Sequence, residues 1–397
     1  MERMLEGIRV LDLTQAYSGP YGCMHLADHG AEVIKIEPLT GDQTRGWAPM
    51  VDGYSGYYAY LNRNKKGMAI NLKSEEGAEI LRELIKVSDV VIENFKAGTF
   101  AKLGFTYESM KEINPKIIYG QITGFGLTGP KSKKPCYDLV AQAESGMMDM
   151  TGFPENDPVK IGPSVADSFT GTYLALGIMM ALFKRERTGQ GSHVDVAMLD
   201  TMLSTMEAYV PFHTLLGKEP TRQGNADINS VPWDSYRAKD GMFVAAVGTD
   251  RHWQKFCEVL GFPEIASDPK YNTFEARSKH YYGDLKDRIE AQSSQKTLDE
   301  LDALFEEAGV PFGQVRTLSN AIHSPQTAER NMLWEIYDPG LKRDFCMPGT
   351  PIKFEEEEDT IVKAAPLLGE DNEEILHDLL NYDDARIKEL KESGIIG

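Results

Sequence analysis

The chain has 397 residues, enough for about two or three domains, and is 41% hydrophobic and 26% charged. Its 42 lysines and arginines against 61 aspartates and glutamates give a formal net charge of −19. So acidic a chain repels phosphate backbones and anionic lipid surfaces, so we expect neither a nucleic acid nor a membrane as its main partner. The composition is typical of a globular enzyme rather than of a disordered or fibrous chain.

Four cysteines, Cys23, Cys136, Cys257 and Cys346, lie far apart and form no C-x-x-C pair. That spacing predicts neither a finger-type zinc site nor a dense disulfide framework. The opening residues lack the apolar stretch of a secretory signal, and the longest apolar run, residues 174–183, is too short to span a bilayer. We therefore expect a reducing, cytoplasmic setting.

Strand and helix patterns alternate through the first 126 residues. Apolar runs predict strands at residues 8–14, 31–37, 68–72, 90–92 and 117–120. Helical spacing predicts one helix from about Tyr21 to Gly30 and another that begins after Ser74, a residue type that caps helix N-termini. Strands that alternate with helices indicate βαβ units, so the expected fold class is α/β with a parallel sheet.

Two long apolar helices are predicted next, and a second group of elements follows them. The helices span about 170–187 and 197–216, with a strand at 193–196 between them. Scattered turn formers make residues 217–240 a predicted linker. Beyond it we predict a strand at 241–247, helices near 250–260, 281–292 and 297–308, a strand at 313–315, loops after about 330 and two short C-terminal helices. The acidic run 355–359 is expected on a solvated surface.

Several common catalytic motifs are missing from the sequence. No Walker A sequence exists, and no G-x-G-x-x-G follows the first predicted strand, which argues against P-loop hydrolysis and a dinucleotide site. No H-E-x-x-H or G-x-S-x-G is present either, and the eight histidines are dispersed. We therefore expect no metal site and no simple serine hydrolase.

Basic residues are concentrated locally in spite of the acidic total. The clusters are Arg63, Lys65 and Lys66; Lys131, Lys133 and Lys134; and Lys96 with Lys102. Ligands of parallel sheets bind beyond the carboxyl ends of the strands, where such residues could hold a phosphorylated cofactor. The alternative is an ordinary solvated patch.

Asp167 is the most informative acidic residue, because it stands among small and apolar residues directly before a predicted apolar helix. One interpretation is a helix N-cap. The other is a carboxylate nucleophile, which the helix N-terminus would keep ionised. The two interpretations are compatible in one residue.

Across nearly the whole chain, the sequence resembles the class III coenzyme A transferases, the family of formyl-CoA transferase and carnitine CoA-transferase. The order of the matching motifs is more specific than any one of them. They are residues 7–12 with Gly19 and Pro20, 30–37, Asp42 with 45–47, 64–66, 71–73, 93–95, 124–126, Ala166 and Asp167 with Gly171, 188–191, 194–198, Asp268, Pro269, Tyr271 and Arg277, and 365–370.

The resemblance implies a Rossmann-like large domain, a smaller α+β domain and an interlocked homodimer. It implies that residues 1–216 begin the large domain, 217–240 link it to a small domain at 241–328, and 329–397 return to complete it. Asp167 falls on the family's catalytic aspartate. It would accept the acyl group of a donor acyl-CoA as a mixed anhydride, then carry coenzyme A as an aspartyl thioester for a carboxylic acid acceptor. No metal or nicotinamide is implied.

Family contacts to coenzyme A would fall on a further set of positions. These are Gln15, Ala16, Tyr17, Ser18, Asn71, Leu72, Lys73, Asn94, Phe95, Lys96, Lys102, Tyr137 and Asp138. Three departures from the formyl-CoA branch put oxalate as acceptor in doubt. Pro38 replaces an arginine, Tyr17 replaces an amide side chain, and residues 210–241 contain no glycine-rich loop.

Two other functions compete with CoA transfer. The first is an α-methylacyl-CoA racemase, in which a histidine would move the α-proton; this chain has Tyr137 there, and a phenol with an ordinary pKa near ~10 is a poor proton shuttle at neutral pH. The second is a non-catalytic CoA-binding protein, but the presence of Asp167, a candidate nucleophile, argues against it. Phe95 and Tyr137 are also open to a purely structural role, as are Lys73, Lys102 and Gln15.

Overall fold

A computed structural model describes residues 3–227, 230–356 and 363–397. Part of the acidic run, residues 357–359, lies outside the described residues, so its predicted solvation stays a prediction. The strands are β1 (Arg9–Asp12), β2 (Glu32–Glu37), β3 (Met50–Val51), β4 (Tyr54–Ser55), β5 (Lys65–Ala69), β6 (Val90–Glu93), β7 (Ile118–Thr123), β8 (Ser192–Ala197), β9 (Trp233–Arg237), β10 (Met242–Ala246), β11 (Phe312–Gln314), β12 (Leu333–Asp338) and β13 (Arg343–Pro348).

The α-helices follow the same chain order. They are α1 (Ser18–Asp28), α2 (Gly56–Asn62), α3 (Glu75–Lys86), α4 (Thr99–Lys102), α5 (Tyr107–Ile113), α6 (Asp138–Glu144), α7 (Met147–Met150), α8 (Val165–Thr188), α9 (Met198–Ser204), α10 (Tyr209–Leu216), α11 (Asp250–Leu260), α12 (Phe274–Lys279), α13 (Lys286–Ser293), α14 (Leu298–Ala308), α15 (Leu318–Ile322), α16 (Pro325–Glu329), α17 (Asn372–Leu380) and α18 (Asp384–Glu392).

The chain divides into two compact units. The first comprises Met1–Met147, Lys160–Gly217 and Pro325–Gly397. The second comprises Met148–Val159 and Lys218–Ser324. In the second unit β9, β10 and β11 form an antiparallel sheet, and its core buries Tyr236 and Phe243 with side chains of α11 and α14.

The first unit is built on a six-stranded sheet in the order β5-β2-β1-β6-β7-β8. Every neighbouring pair is parallel; Val10 of β1, for example, pairs with Val33 on one side and Val90 on the other. Counted along the chain, these six strands follow the order 3-2-1-4-5-6, which is the doubly wound Rossmann arrangement. The predicted α/β class with a parallel sheet is confirmed.

Helices cover both faces of this sheet, so its strands are buried on two sides. One face packs on α3, α4, α5, α17 and α18, and the other on α1, α6, α8 and α9. By length and composition alone, the 24-residue α8 is long and apolar enough to cross a membrane. In the structure it packs against α1, α9, β7 and β8.

The C-terminal residues pair with the edge strand β5. The Gly67 N–H donates to Asp371 Oδ2 (2.7 Å), and the Ala69 N–H donates to Asn372 Oδ1 (3.0 Å). A little further on, the Asn71 N–H donates to the Ile395 carbonyl (2.8 Å). The edge strand is thereby covered rather than left open for pairing with another chain.

Three predicted elements differ from the structure. The helix predicted over 197–216 is two helices, α9 and α10, with Glu207 at a positive φ of 45° between them. The predicted linker 217–240 contains β9, whose three central residues are buried but two of them, Asp234 and Ser235, are polar, so the segment lacks the apolar pattern of a strand. The loop predicted after residue 330 contains the hairpin β12–β13, although the alternation in Leu333–Asp338 is a strand pattern.

Candidate functional site

A cleft lies at the carboxyl edge of the parallel sheet, where the strand order reverses between β1 and β6. Doubly wound sheets bind ligands at this point, because the connections leave the sheet in opposite directions there. The cleft has a volume of about 290 Å³ and is bordered by the segments that follow β1, β6 and β7. Its lining is Gln15, Ala16, Ser18, Gln43, Asn94, Phe95, Lys96, Ala97, Ile122, Thr123, Gly124, Ser132, Lys134, Pro135, Cys136, Tyr137, Asp167 and Met198.

The turn after β1 is held by a side chain from the neighbouring strand. Asn94, directly after β6, accepts from the Gln15 N–H (2.8 Å) and donates to the Gln15 carbonyl (2.7 Å). Ala16 then adopts a positive φ of 64°, an uncommon conformation for a residue with a Cβ. The amide of Asn94 is therefore used to shape one wall of the cleft.

A buried charge network lies beneath the same turn. Lys65 donates to Asp12 Oδ2 (2.9 Å), to the Pro20 carbonyl (3.1 Å) and to Asn62 Oδ1 (3.0 Å). Burial acts to raise the pKa of Asp12, but Lys65 and Lys35 outweigh it and hold that pKa at about 2. The network ties β5 to the end of β1 and to the first turn of α1.

Two residues of the predicted basic clusters are thus neither surface groups nor phosphate ligands. The side chains of Lys65 and Arg63 are fully buried, and Arg63 pairs with Asp28 at 2.7 Å. That prediction is wrong for both, because each finds a carboxylate contributed by a distant segment. Lys131 is paired with Glu144, whereas Lys96 and Lys134 are exposed at the cleft.

Asp167 lies in the first turn of α8 and lines the cleft. Burial raises the pKa of its carboxyl, the nearby charge of Asp138 raises it further, and an interaction with the Ser18 side chain lowers it; the pKa lies at about 7. This shift does not support the expectation that the helix N-terminus keeps Asp167 ionised, because its main causes raise the pKa. Lost hydration and the like charge of Asp138 both disfavour the ionised form of the carboxyl.

Helices α1 and α8 approach each other closely at two glycines. A Cβ on Gly171 would lie 2.4 Å from the Ser18 carbonyl oxygen, and one on Gly22 would lie 2.7 Å from the Gly171 carbonyl oxygen. Both contacts are with backbone, so a side chain at either position forces the helices apart. This crossing keeps the Ser18 turn beside Asp167, one turn away from Gly171 on α8.

Gly171→Ala tests the crossing. Overpacking against backbone should cost about 1–3 kcal/mol of unfolding free energy and move Ser18 away from Asp167. The matched control is Gly177→Ala on the same helix, whose Cβ meets only the Val194 side chain. Urea unfolding should show a clear loss for the first variant and a smaller one for the control; equal losses would contradict the account.

Aromatic side chains stand beside Asp167. The Ser168 hydroxyl donates to Tyr17 Oη (3.2 Å), and the Tyr17 ring packs near Tyr21 and Tyr57, with Trp47 beyond. Burial raises the pKa of both Tyr17 and Tyr57, and the negative charge of Asp167 acts in the same direction. These phenols stay neutral and offer hydrogen-bond donors on a largely apolar wall.

The structure brings together part of the predicted contact set. The predicted residues that line the cleft are Gln15, Ala16, Ser18, Asn94, Phe95, Lys96, Tyr137 and Asp167. Phe95 also packs against the core beside Phe100, so its proposed core role coexists with its position in the cleft.

The remaining predicted contacts lie outside this lining. They are Tyr17, Asn71, Leu72, Lys73, Lys102 and Asp138. Lys73 and Lys102 are exposed, whereas Leu72 packs against the core. Asp138 is buried, with its carboxylate against the start of α8.

Several lining residues were not predicted as contacts. Ser132, Lys134 and Cys136 come from the loop after β7, and Gln43 and Met198 come from two other segments. The basic cluster at 131–134 was the sequence signal that could have identified the loop after β7. Among the described residues, no group of three or more His, Cys, Asp or Glu is arranged to hold a metal ion.

Comparisons with known proteins give one consistent result. A sequence model of the family described as CoA-transferase family III matches residues 5–372. The succinyl-CoA:glutarate CoA-transferase of Homo sapiens is 37% identical, over 99% of this chain and 90% of that protein. The acetyl-CoA:oxalate CoA-transferase of Acetobacter aceti is 40% identical over 88% of each chain. A CAIB/BAIF family protein from Brucella suis has a similar crystal structure, with a TM-score of 0.84, 37% identity and coverage of 96% of this chain and 100% of that one.

Proposed function

The chain belongs to CoA-transferase family III and is an acyl-CoA:carboxylate CoA-transferase, and we propose that Asp167 carries its chemistry as a covalent nucleophile. The observation that carries this proposal is the position of a titratable carboxyl in the cleft at the sheet's switch point. No other Asp or Glu belongs to the described lining of that cleft.

The proposed reaction has two halves that are chemically mirror images. An Asp167 oxygen attacks the donor thioester, the C–S bond breaks, and a mixed anhydride and the CoA thiolate result. The thiolate attacks the aspartyl carbonyl, which releases the donor acid and leaves an aspartyl-CoA thioester. The acceptor carboxylate then attacks this thioester, whose C–S bond breaks to give a second anhydride and the CoA thiolate again. The thiolate attacks the acceptor's acyl carbonyl in this anhydride, and the bond to the Asp167 oxygen breaks. The products are the new acyl-CoA and a free Asp167 carboxylate.

The site geometry favours this use of Asp167. Its carboxylate is costly when ionised, because it is largely removed from water and lies near Asp138. Forming an anhydride or a thioester removes that charge, so both covalent states relieve the cost. The neutral phenols of Tyr17 and Tyr57 can donate to a carboxylate acceptor without adding a charge.

Coenzyme A would enter from the loops that follow β1, β6 and β7. We propose that Gln15, Ala16, Ser18, Phe95, Lys96 and Tyr137 contact its pantetheine arm, because they share the cleft with Asp167. The cleft is open to solvent, so the nucleotide end of the cofactor would extend beyond its lining. The exposed ammonium groups of Lys73 and Lys102 remain our proposed partners of its phosphates.

A dicarboxylic acid is the acceptor we propose, since the two relatives named above are named for glutarate and oxalate. Succinyl-CoA and acetyl-CoA should each be incubated with glutarate, oxalate and a monocarboxylate of similar length, and the new acyl-CoA read by mass spectrometry. We expect transfer to at least one diacid. Absence of transfer, together with α-proton exchange into deuterated water, would favour the racemase instead.

We further propose that the chain forms the interlocked homodimer that the family resemblance implies. In it, residues 329–397 would complete the large domain. Support comes from an exposed apolar stripe along α8, formed by Phe169, Tyr173, Leu176, Met180 and Phe183. These residues recur at spacings of four and three, so they form one face of the helix. A contiguous apolar face of this kind is typical of a surface that another chain covers.

A cytoplasmic location remains a prediction.

A further inference from the structure

Asp138 stands at the beginning of α6, next to Tyr137, which lines the cleft, but Asp138 itself is not part of the lining. Its Oδ1 accepts from the Ala166 N–H (2.8 Å) and, more weakly, from the Asp167 N–H (3.4 Å). These are N–H groups of the first turn of α8, which have no partner inside their own helix.

The local N-cap does not serve these groups. Ser164 occupies the N-cap position of α8, and in the described chain its side chain makes no capping hydrogen bond. A carboxylate from another helix therefore takes the place that a Ser, Thr or Asp at the N-cap usually fills. Because Asp138 is only 8% exposed, water does not compete strongly for it.

Gln142 completes the arrangement one helical turn later. Its Nε2 donates to Asp138 Oδ2 (2.7 Å), while its Oε1 accepts from the Ile161 N–H (3.0 Å). Gln142 is fully buried, so both ends of its amide are committed. The pair Asp138–Gln142 thus links α6 to the segment that enters α8 and to the backbone of Asp167 itself.

We propose that Asp138 and Gln142 are positioning residues, which hold the start of α8 so that Asp167 faces the cleft and which place a fixed negative charge behind it. This rests on the nucleophilic role proposed for Asp167. Asp138 is on this account not a contact of coenzyme A. The fixed charge disfavours the free Asp167 carboxylate relative to its neutral acylated forms, and so promotes the first covalent step.

After burial, Asp138 is the main influence on the charge of Asp167. Tyr17, Tyr57 and Cys136 also interact with its charge, but burial raises the pKa of each, so these groups are neutral near pH 7. Ser18 carries no charge. The lysines of the cleft lining, Lys96 and Lys134, are exposed to solvent, which weakens their influence.

Two variants separate the two parts of the proposal. Asp138→Ala removes both the hydrogen bonds and the charge. The double variant Asp138→Asn with Gln142→Glu reverses the direction of the bond between the two side chains. It keeps an acceptor for the Ala166 N–H and one for the Ile161 N–H, and it moves the negative charge from the side chain that accepts from the Ala166 and Asp167 N–H groups to the neighbouring one.

We expect Asp138→Ala to lower kcat about 10²-fold with KM for acyl-CoA within about 2-fold, since small misplacements of a reacting group have such effects. The acid limb of its pH–rate profile should move to lower pH. The double variant should recover most of kcat, but the acid limb of its pH–rate profile should still lie at lower pH than that of the wild type. Hydrogen exchange of residues 161–170 should be fast in Asp138→Ala and slow in the double variant and the wild type.

Other results would overturn the proposal. A KM raised tenfold or more at unchanged kcat would make Asp138 a cofactor contact, and an unmoved acid limb would remove the role of its charge. Fast exchange in the double variant would remove the role of the pair in holding α8. Wild-type protein measured in parallel distinguishes a failure of this proposal from a failure of the proposed function. If it transfers no CoA, the function proposed above fails, whereas the exchange data still test the link between α6 and α8.

Discussion

Asp167→Asn should abolish CoA transfer, lowering kcat by at least about 10³-fold, while the protein still folds. The amide has nearly the same shape as the carboxyl but cannot form the mixed anhydride, so the first covalent step is lost. Asp200→Asn is a matched control, because Asp200 is an exposed aspartate in the first turn of α9 and lies outside the cleft lining. Its activity should stay near the wild-type value.

The same substitution should stabilise the fold, and more so at higher pH. The folded-state pKa of Asp167, about 7, exceeds its ordinary value of 3.8, so the folded state binds more protons between these values. Stability is therefore lost as the pH rises through this window, and removing the carboxylate recovers it. We expect the Tm of Asp167→Asn to exceed that of the wild type by more at pH 8 than at pH 5. A lower Tm at pH 8 would contradict this account.

Lys65→Met should cause the largest loss of stability among single substitutions at the site, about 3–5 kcal/mol of unfolding free energy. It leaves the carboxylate of Asp12 buried without its main partner and removes donors to the Pro20 carbonyl and Asn62. The pKa of Asp12, now about 2, should rise in the variant. The deficit should therefore be smaller at pH 4 than at pH 7, since protonation removes the uncompensated charge.

The neighbouring residue provides the control. Lys66 pairs with Glu32 and Glu374, and its side chain is 30% exposed, so water can replace these bonds. Lys66→Met should cost less than about 1 kcal/mol in the same urea titrations. If the two variants lose equal stability, the ion pair below the first turn does not have the role assigned to it.

The sheet could be predicted from the sequence because its signals are local. Apolar runs such as those around Val10 and Val90 identify buried parallel strands, and Ser74 caps α3 by accepting from the Gly77 N–H, as its position suggested. The hairpin β12–β13 also had a local signal, the alternation of apolar and polar residues in Leu333–Asp338. The break between α9 and α10 had no local sequence signal, because it depends on the backbone conformation of Glu207.

The site is harder to predict, because its groups meet only through the fold. Asp167 was identified from its position before a predicted apolar helix and then from the family resemblance, and neither signal indicates the surrounding charges. The predicted contacts of Asp138 and Asn94 with coenzyme A stay predictions, but the sequence did not indicate that their side chains also bind the backbone of Ala166 and Gln15. A lysine such as Lys65 looks solvent-exposed in a sequence, and its partner Asp12 is 53 residues away.

The most direct test of the account is the covalent state of Asp167 during turnover. The protein should be incubated with succinyl-CoA and then quenched with hydroxylamine, which converts an acylated or thioesterified carboxyl into a hydroxamate. Peptide mass spectrometry should find that hydroxamate at Asp167, and not in protein treated with hydroxylamine alone. Unmodified Asp167 in enzyme that is transferring CoA would contradict the covalent mechanism.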